Sequence, residues 1–321
     1  MEANTDSRPR RVRVAVLILP GTAQSAVYGL QDLFFAANRI LQELQSPPEV
    51  TFSVEPVSDP SAQYGSAAPA LAIMPPILEG DAYLRPHPEI CRILRDWHAQ
   101  GAVVCSACAG AFLLAQAGLL EGRRVTTHWQ LETEFRTHYP DLTLDTDALL
   151  LPEADLVTAG GVMAWMDLGL HLIARHVPPS VVQALGRYLV MDTGERQQRY
   201  YRTFTPRMSH GDPRILPLQH HLHRHFAERL TTAEMADRAG VGERTLMRRF
   251  RQATGFGPGE YVRQLRLQRA RELLENSRDS VEQVALKVGY EDVSAFRKMF
   301  AKHTGLTPSE HRARFASGSA S

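Results

Sequence analysis

Cys108 follows the apolar run AVVCSA and precedes Ala109, Gly110 and Ala111, after which the chain reads as a helix, FLLAQAGLL. A thiol at a sharp strand-to-helix turn, with small residues that permit the bend, has the form of a nucleophile elbow. The start of the following helix favours thiolate over thiol at such a place. Twenty residues on, VTTHW sets His128 at the end of another short extended run. From there an imidazole can face the elbow across the sheet edge, where α/β proteins bind ligands. Gly160 and Gly161 stand before an apolar helix with Asp167 in its first turns. These glycines either let backbone approach a ligand or only turn the chain. The candidate ligand pocket is therefore Cys108, Ala109, Gly110, His128, Gly160, Gly161 and Asp167, whereas Cys91 and Cys105 read as packing.

A second chemistry, recognition of phosphates and bases, is written into residues 236–315 as a sequence and its echo. RRFRQATGFGPGEY recurs as RKMFAKHTGLTPSEH, and a shift of 50 lays Phe250 on Phe300, Thr254 on Thr304, Gly255 on Gly305, Pro258 on Pro308 and Glu260 on Glu310. Such self-similarity marks one supersecondary unit used twice. Each copy opens with an Ala four residues before a Gly, Ala236 with Gly240 and Ala285 with Gly289. A helix follows whose inner face carries Leu246 and Phe250 in one copy, Phe296 and Phe300 in the other. Two short helices joined by a tight Gly turn, the second of them basic, is the sequence form of a helix-turn-helix. In the first unit Glu243, Arg244, Thr245 and Arg248 are the candidates to face bases, with Arg249 or Arg251 toward phosphate. In the second they are Ser294, Arg297 and Lys298. The intervening GPGEYVRQLRLQRARELLENS reads as one long helix, able to hold the two readers on the order of 34 Å apart, one turn of duplex.

The elements that must position the thiol are strands and helices in alternation. VRVAVLILPG is a nearly unbroken apolar run, the pattern of a strand buried on both faces in a parallel sheet. SAVYGLQDLFFAANRIL reads as a helix, PEVTFSVEPVS and Leu71 to Met74 as strands, and HPEICRILRDWHAQG as a helix ending at Gly101. The expected fold class is α/β: a doubly wound, mostly parallel sheet, then an all-α domain with helix-turn-helix units near 231–254 and 280–303. By composition the chain divides into a disordered lead (1–11), an α/β domain (12–192), a polar linker (193–213), the reader (214–315) and a frayed tail (316–321).

The formal net charge of +1 over 321 residues hides an asymmetry. Residues 1–223 hold 18 Lys plus Arg against 23 Asp plus Glu, net minus 5, while 224–321 hold 18 against 12, net plus 6. Positive charge concentrated on the repeat is what phosphate contacts require. Three cysteines are too few for a disulfide framework and point to a reducing compartment. The apolar run ending in LILPG is too short to span a membrane, so the reading is a cytoplasmic, nucleoid-associated protein with no membrane partner. His220, His221, His223 and His225 cluster, and His221 with His225 has one-turn spacing; without Cys or carboxylates beside them they read as helix surface, and neither metal nor cofactor is expected.

Two resemblances follow from these motifs. LMRRF, TGFGPGEYV, RLQRARELL, VALKVGY and TGLTPSEHRARF, between Leu230 and Phe315, resemble the DNA-binding domain of AraC/XylS-type transcriptional regulators. One departure is Gly242, where that family commonly has a capping Ser; loss of such a cap costs up to about 1 kcal/mol of helix stability, although Gly is itself a tolerable cap. CAGAFLLAQAGLLEGRRVTTHW and LVTAGGVMAWMDLGLHLIARH, within residues 12–190, resemble the class-I glutamine-amidotransferase-like, flavodoxin-like fold of PfpI-type cysteine hydrolases and their deglycase and isocyanide-hydratase relatives. That resemblance implies that Cys108 stands at the nucleophile position with His128 beside it. Fusion of such a domain to an AraC-type reader implies a regulator that senses a small metabolite, usually as an activator. The chain departs from the enzymes between Thr22 and Gln31, where no Asp or Glu stands to tune the thiol.

The reading is thus an effector-responsive transcription factor, a homodimer with promoter DNA, a small metabolite and RNA polymerase as partners. Cys108 and His128 are then vestiges of a catalytic pair in a domain without turnover. Two alternatives are a redox or electrophile sensor using the Cys108 thiolate, and a cysteine hydrolase or hydratase carried to DNA by the reader.

Overall fold

The computed structural model describes residues 9–44, 48–64, 67–191 and 196–316. The lead through residue 8, the first linker residues 193–195 and tail residues 317–321 lie outside the described residues. The chain divides into two compact units between Gln198 and Arg199.

The first unit runs β1 (Arg10–Leu17), α1 (Gln24–Leu44), β2 (Val50–Val57), α2 (Pro60–Tyr64), β3 (Leu71–Met74), α3 (Pro88–Ala99), β4 (Val103–Ala107) and α4 (Gly110–Gln116). It continues through β5 (Arg124–Val125), α5 (Glu132–His138), β6 (Thr143–Leu144), β7 (Leu150–Pro152), β8 (Leu156–Ala159), α6 (Trp165–Ala174) and α7 (Pro179–Leu189). Among the described residues the main sheet has the order β2-β1-β3-β4-β8-β7, parallel except for the antiparallel edge pair β7 with β8. Alternation along each strand sends side chains to opposite faces. Val14, Val16 and Cys105 join one core with Leu30, Phe34, Leu168 and Leu185 of α1, α6 and α7. Ala15, Leu17 and Val104 join the other with Leu94, Trp97, Phe112 and Phe135 of α3, α4 and α5. Helices on both faces explain why β3 and β8 are buried at every residue.

The second unit is helical: α8 (Ile215–His225), α9 (Thr232–Ala239), α10 (Glu243–Thr254), α11 (Pro258–Asn276), α12 (Val281–Lys287), α13 (Val293–Thr304) and α14 (Pro308–Phe315). Its repeat is physical as well as textual. Thr231 with Glu234 and Ser280 with Gln283 form capping boxes on α9 and α12, a separation of 49, whereas α10 and α13 start 50 apart. The second turn therefore carries one extra residue, and it caps α13 with Asp292, whose carboxylate accepts from the Ser294 N–H at 2.7 Å. Gly242 begins α10 without a side-chain cap. The first module packs Leu246, Phe250 and Tyr261 together, and the second packs Leu267, Leu274, Phe296 and Phe300, so α11 contributes one end to each core. Arg266, midway along α11, donates to the carbonyls of Phe226 (2.7 Å) and Gly289 (2.9 Å) and fixes the two modules to each other.

Candidate functional site

Cys108 closes β4 with a φ of +54°, a left-handed conformation rare for any residue but Gly. A non-glycine residue holds such a backbone only where its surroundings fix it. Here the Cys108 N–H donates to Ala159 O of β8 at 2.9 Å, and the Thr127 hydroxyl donates to Cys108 O at 2.7 Å. Ala109 and Gly110 continue directly into α4, both buried. The elbow geometry is present, but its electrostatics do not favour a thiolate. Burial pushes the thiol up to about 11, against a single opposing contact from the Ala109 backbone.

His128 stands at the strand end but turns its ring to local work. Its Nδ1 accepts from the Gln130 N–H at 3.1 Å, capping the following turn, and the ring stacks on Trp129 with centroids 5.5 Å apart. Burial lowers its pKa, so the ring favours the neutral form. Among the described residues no hydrogen bond joins His128 to Cys108; its neighbour Thr127 makes the connection, side-chain hydroxyl to the Cys108 carbonyl. Tyr83, which no local pattern singles out, donates its hydroxyl to Glu134 at 2.9 Å, and burial together with that carboxylate pushes its phenol up to about 12.

The remaining pocket candidates meet side chains from the far end of the unit. Asp167 is paired with Arg196, whose Nε donates to it at 2.9 Å. Gly160 faces Gln198: a Cβ at residue 160 would stand 1.8 Å from the Gln198 amide nitrogen. Gly161, by contrast, has only Leu149 nearby. Arg196 and Gln198 fall inside the segment that reads from sequence as the start of a linker, yet both are fastened to the α/β unit. Nothing in a local pattern marks them, because their partners lie 29 to 72 residues away.

On α10, Glu243, Arg244, Arg248 and Arg251 are exposed and Thr245 is half-buried. Arg249 is different, because its Nε and Nη2 each donate to the Asp212 carboxylate at 2.9 Å. Its guanidinium thus holds the entry to α8 and is committed to a structural partner, while Arg251 is exposed. Met247 on the same helix is 47% exposed. On α13, Ser294, Arg297 and Lys298 are exposed, and Arg297 makes a solvent-exposed pair with Glu282 at 2.7 Å, of the kind that contributes little to stability. In α8, His223 contacts the Tyr261 hydroxyl at 2.7 Å, His225 pairs with Glu228 at 2.7 Å, and His221 stacks on His225.

Both halves of this arrangement match known families. Residues 67–175 match the DJ-1/PfpI family, and residues 235–314 match a helix-turn-helix domain. The chain is 30% identical to the HTH-type transcriptional regulator CdhR of Pseudomonas aeruginosa over 307 residues, 92% of this chain and 90% of that one. It is 31% identical to the regulator ArgR of the same organism over 236 residues, 73% and 71% of the two chains. Among solved structures, an AraC family transcriptional regulator from Pseudomonas putida aligns with 55% of this chain and 98% of its own, at 18% identity and a TM-score of 0.45. The chain belongs to the AraC-type transcriptional regulators that carry a DJ-1/PfpI-like amino-terminal domain. It is a transcriptional regulator, and its helix-turn-helix domain binds double-stranded DNA. No helix among the described residues is long and apolar enough to cross a membrane.

Proposed function

We propose that the protein is an effector-responsive activator whose α/β domain (12–192) binds a small metabolite beside Cys108 and does not turn it over. The observation that carries this reading is an elbow without its chemistry. Cys108 keeps the strained backbone of a nucleophile, while its thiol is buried and pushed up to about 11. At neutral pH such a sulfur is protonated and a poor nucleophile. The same protonation counts against a thiolate-based redox sensor.

Binding at the elbow acts on transcription by favouring one arrangement of sensing domain and reader (214–315), since a ligand shifts an equilibrium only by its differential affinity. In this reading Glu243, Arg244, Thr245, Arg248, Arg251, Ser294, Arg297 and Lys298 contact the promoter, the active species is a homodimer, and activation runs through RNA polymerase. A thermal-shift screen of small metabolites tests the sensing half. A stabilising compound is expected whose effect grows with its concentration, as mass action requires, and which also changes promoter affinity. Catalytic turnover of amide, isocyanide or glyoxal substrates that disappears in Cys108→Ala would replace this reading with an enzyme.

A further inference from the structure

Gln198 is only 2% exposed, and its carboxamide is surrounded by partners that match it. The amide nitrogen lies 2.9 Å from the Thr127 carbonyl, 3.0 Å from the Ala148 carbonyl and 3.1 Å from the Thr126 hydroxyl. The amide oxygen accepts from the Trp129 backbone N–H at 3.2 Å. Acceptors on one side and a donor on the other, spaced by one amide group, make a carboxamide cradle. A head group lacking either face would leave buried polar atoms unpaired. Room for it exists because residue 160 has no Cβ to collide with the amide.

The cradle adjoins the elbow. Thr127 supplies the hydroxyl that binds Cys108 O, and Ala159, which accepts from the Cys108 N–H, immediately precedes Gly160. Its occupant arrives on a short strap. Arg196 is paired with Asp167, Gln197 bridges to Ala148, and the Gln198 N–H donates to Asp147 O at 3.0 Å. Arg199, the next residue, begins the DNA-binding unit.

We infer that Gln198 is a tethered surrogate ligand. Its side chain fills a site for small molecules with a primary carboxamide head, and such a molecule displaces it and releases the strap that leads into the reader. This deepens the effector reading above and rests on it. A tethered group competes at high effective concentration, so a free amide meets an apparent affinity lowered by the fraction of time the plug is out.

Propionamide is the Gln side chain as a free molecule, which makes it the probe. In full-length Gln198→Ala it should raise the thermal midpoint, reaching a given rise at a concentration at least about tenfold below that needed with the unaltered protein. Propionate and propylamine, each lacking half of the head group, should have no such effect. Trypsin cleavage after Arg199 and Arg202 should accelerate about fivefold in Gln198→Ala and stay fast with propionamide present, because a free amide fills the cradle without restoring the tether. Gly160→Ala, which expels the same side chain by another route, should show the fast cleavage without propionamide rescue, and it serves alone if Gln198→Ala does not fold. Equal propionamide affinity in Gln198→Ala and the unaltered protein, or unchanged cleavage in Gly160→Ala, overturns the inference. If an effector alters promoter binding while Gln198→Ala ignores propionamide, the cradle fails and the effector reading stands. If the cradle binds propionamide but no compound alters promoter binding, the effector reading fails instead.

Discussion

A thiol gives up its proton in a protein only when something stabilises the charge, and at Cys108 burial outweighs the one backbone amide that does so. Site-resolved alkylation of Cys108 by iodoacetamide should therefore rise through a pH near 11, not near 9, and a plateau by pH 8 would show an activated thiol. The sign for stability follows from the same shift. A group that holds its proton more tightly when folded contributes fully below about 9 and loses that contribution as pH climbs toward 11, so the alkaline loss of thermal stability should be smaller in Cys108→Ser. At the reader, neighbours in sequence have different fates. Arg248→Ala should weaken specific promoter binding by about 1–3 kcal/mol in a titration, with the fold intact. Arg249→Ala should instead lower the thermal midpoint, because it removes the bidentate partner of Asp212. The Cys108 elbow was legible because strand, thiol and small residues are contiguous. The Arg249 pairing was not, since Asp212 lies 37 residues away.

At the scale of elements, the two helix-turn-helix units share one plan executed under different constraints. Gly240 and Gly289 both adopt the left-handed region, with φ of +64° and +83°. Around Gly289, however, a Cβ would stand 2.1 Å from the backbone oxygen of Ala227, whereas at Gly240 it would meet the movable end of Arg214. Urea denaturation should accordingly find Gly289→Ala more destabilising than Gly240→Ala, which carries chiefly the left-handed strain of roughly 1–2 kcal/mol. The repeated Gly was visible in the sequence; the unequal penalty was not, because it depends on the loop before α9 folding against the second turn. Phe300→Ala should cost about 3–5 kcal/mol by emptying the second core, with hydrogen exchange rising over α12 to α14 before α8 to α10.

For the whole molecule, the charge division recorded in the sequence governs how it meets DNA. The basic 224–321 segment, net plus 6, predicts a steep salt dependence. With about six phosphates neutralised, promoter affinity should fall roughly a thousandfold between 50 and 200 mM salt, and Lys298→Ala should make the slope shallower by about one. An affinity indifferent to salt would mean that the basic residues of α10 and α13 do not face the duplex. The boundary between the units shows where composition misleads. Residues 196–198 look like linker because they are polar, but Gln198 is buried among backbone carbonyls that no local pattern advertises.

Periodicity, turn chemistry and the internal echo by themselves determined a parallel α/β sheet, a thiol elbow and a pair of basic helix-turn-helix modules. The patterns that announce them are local: each is carried by residues within a few positions of one another, or by their repetition along the chain. Only the tertiary structure decided the protonation of Cys108, the diversion of His128 and Arg249 to structural partners, and the seating of Gln198 against Gly160. Burial and hydrogen bonding between distant segments set those outcomes, and neither is defined until the chain has closed upon itself.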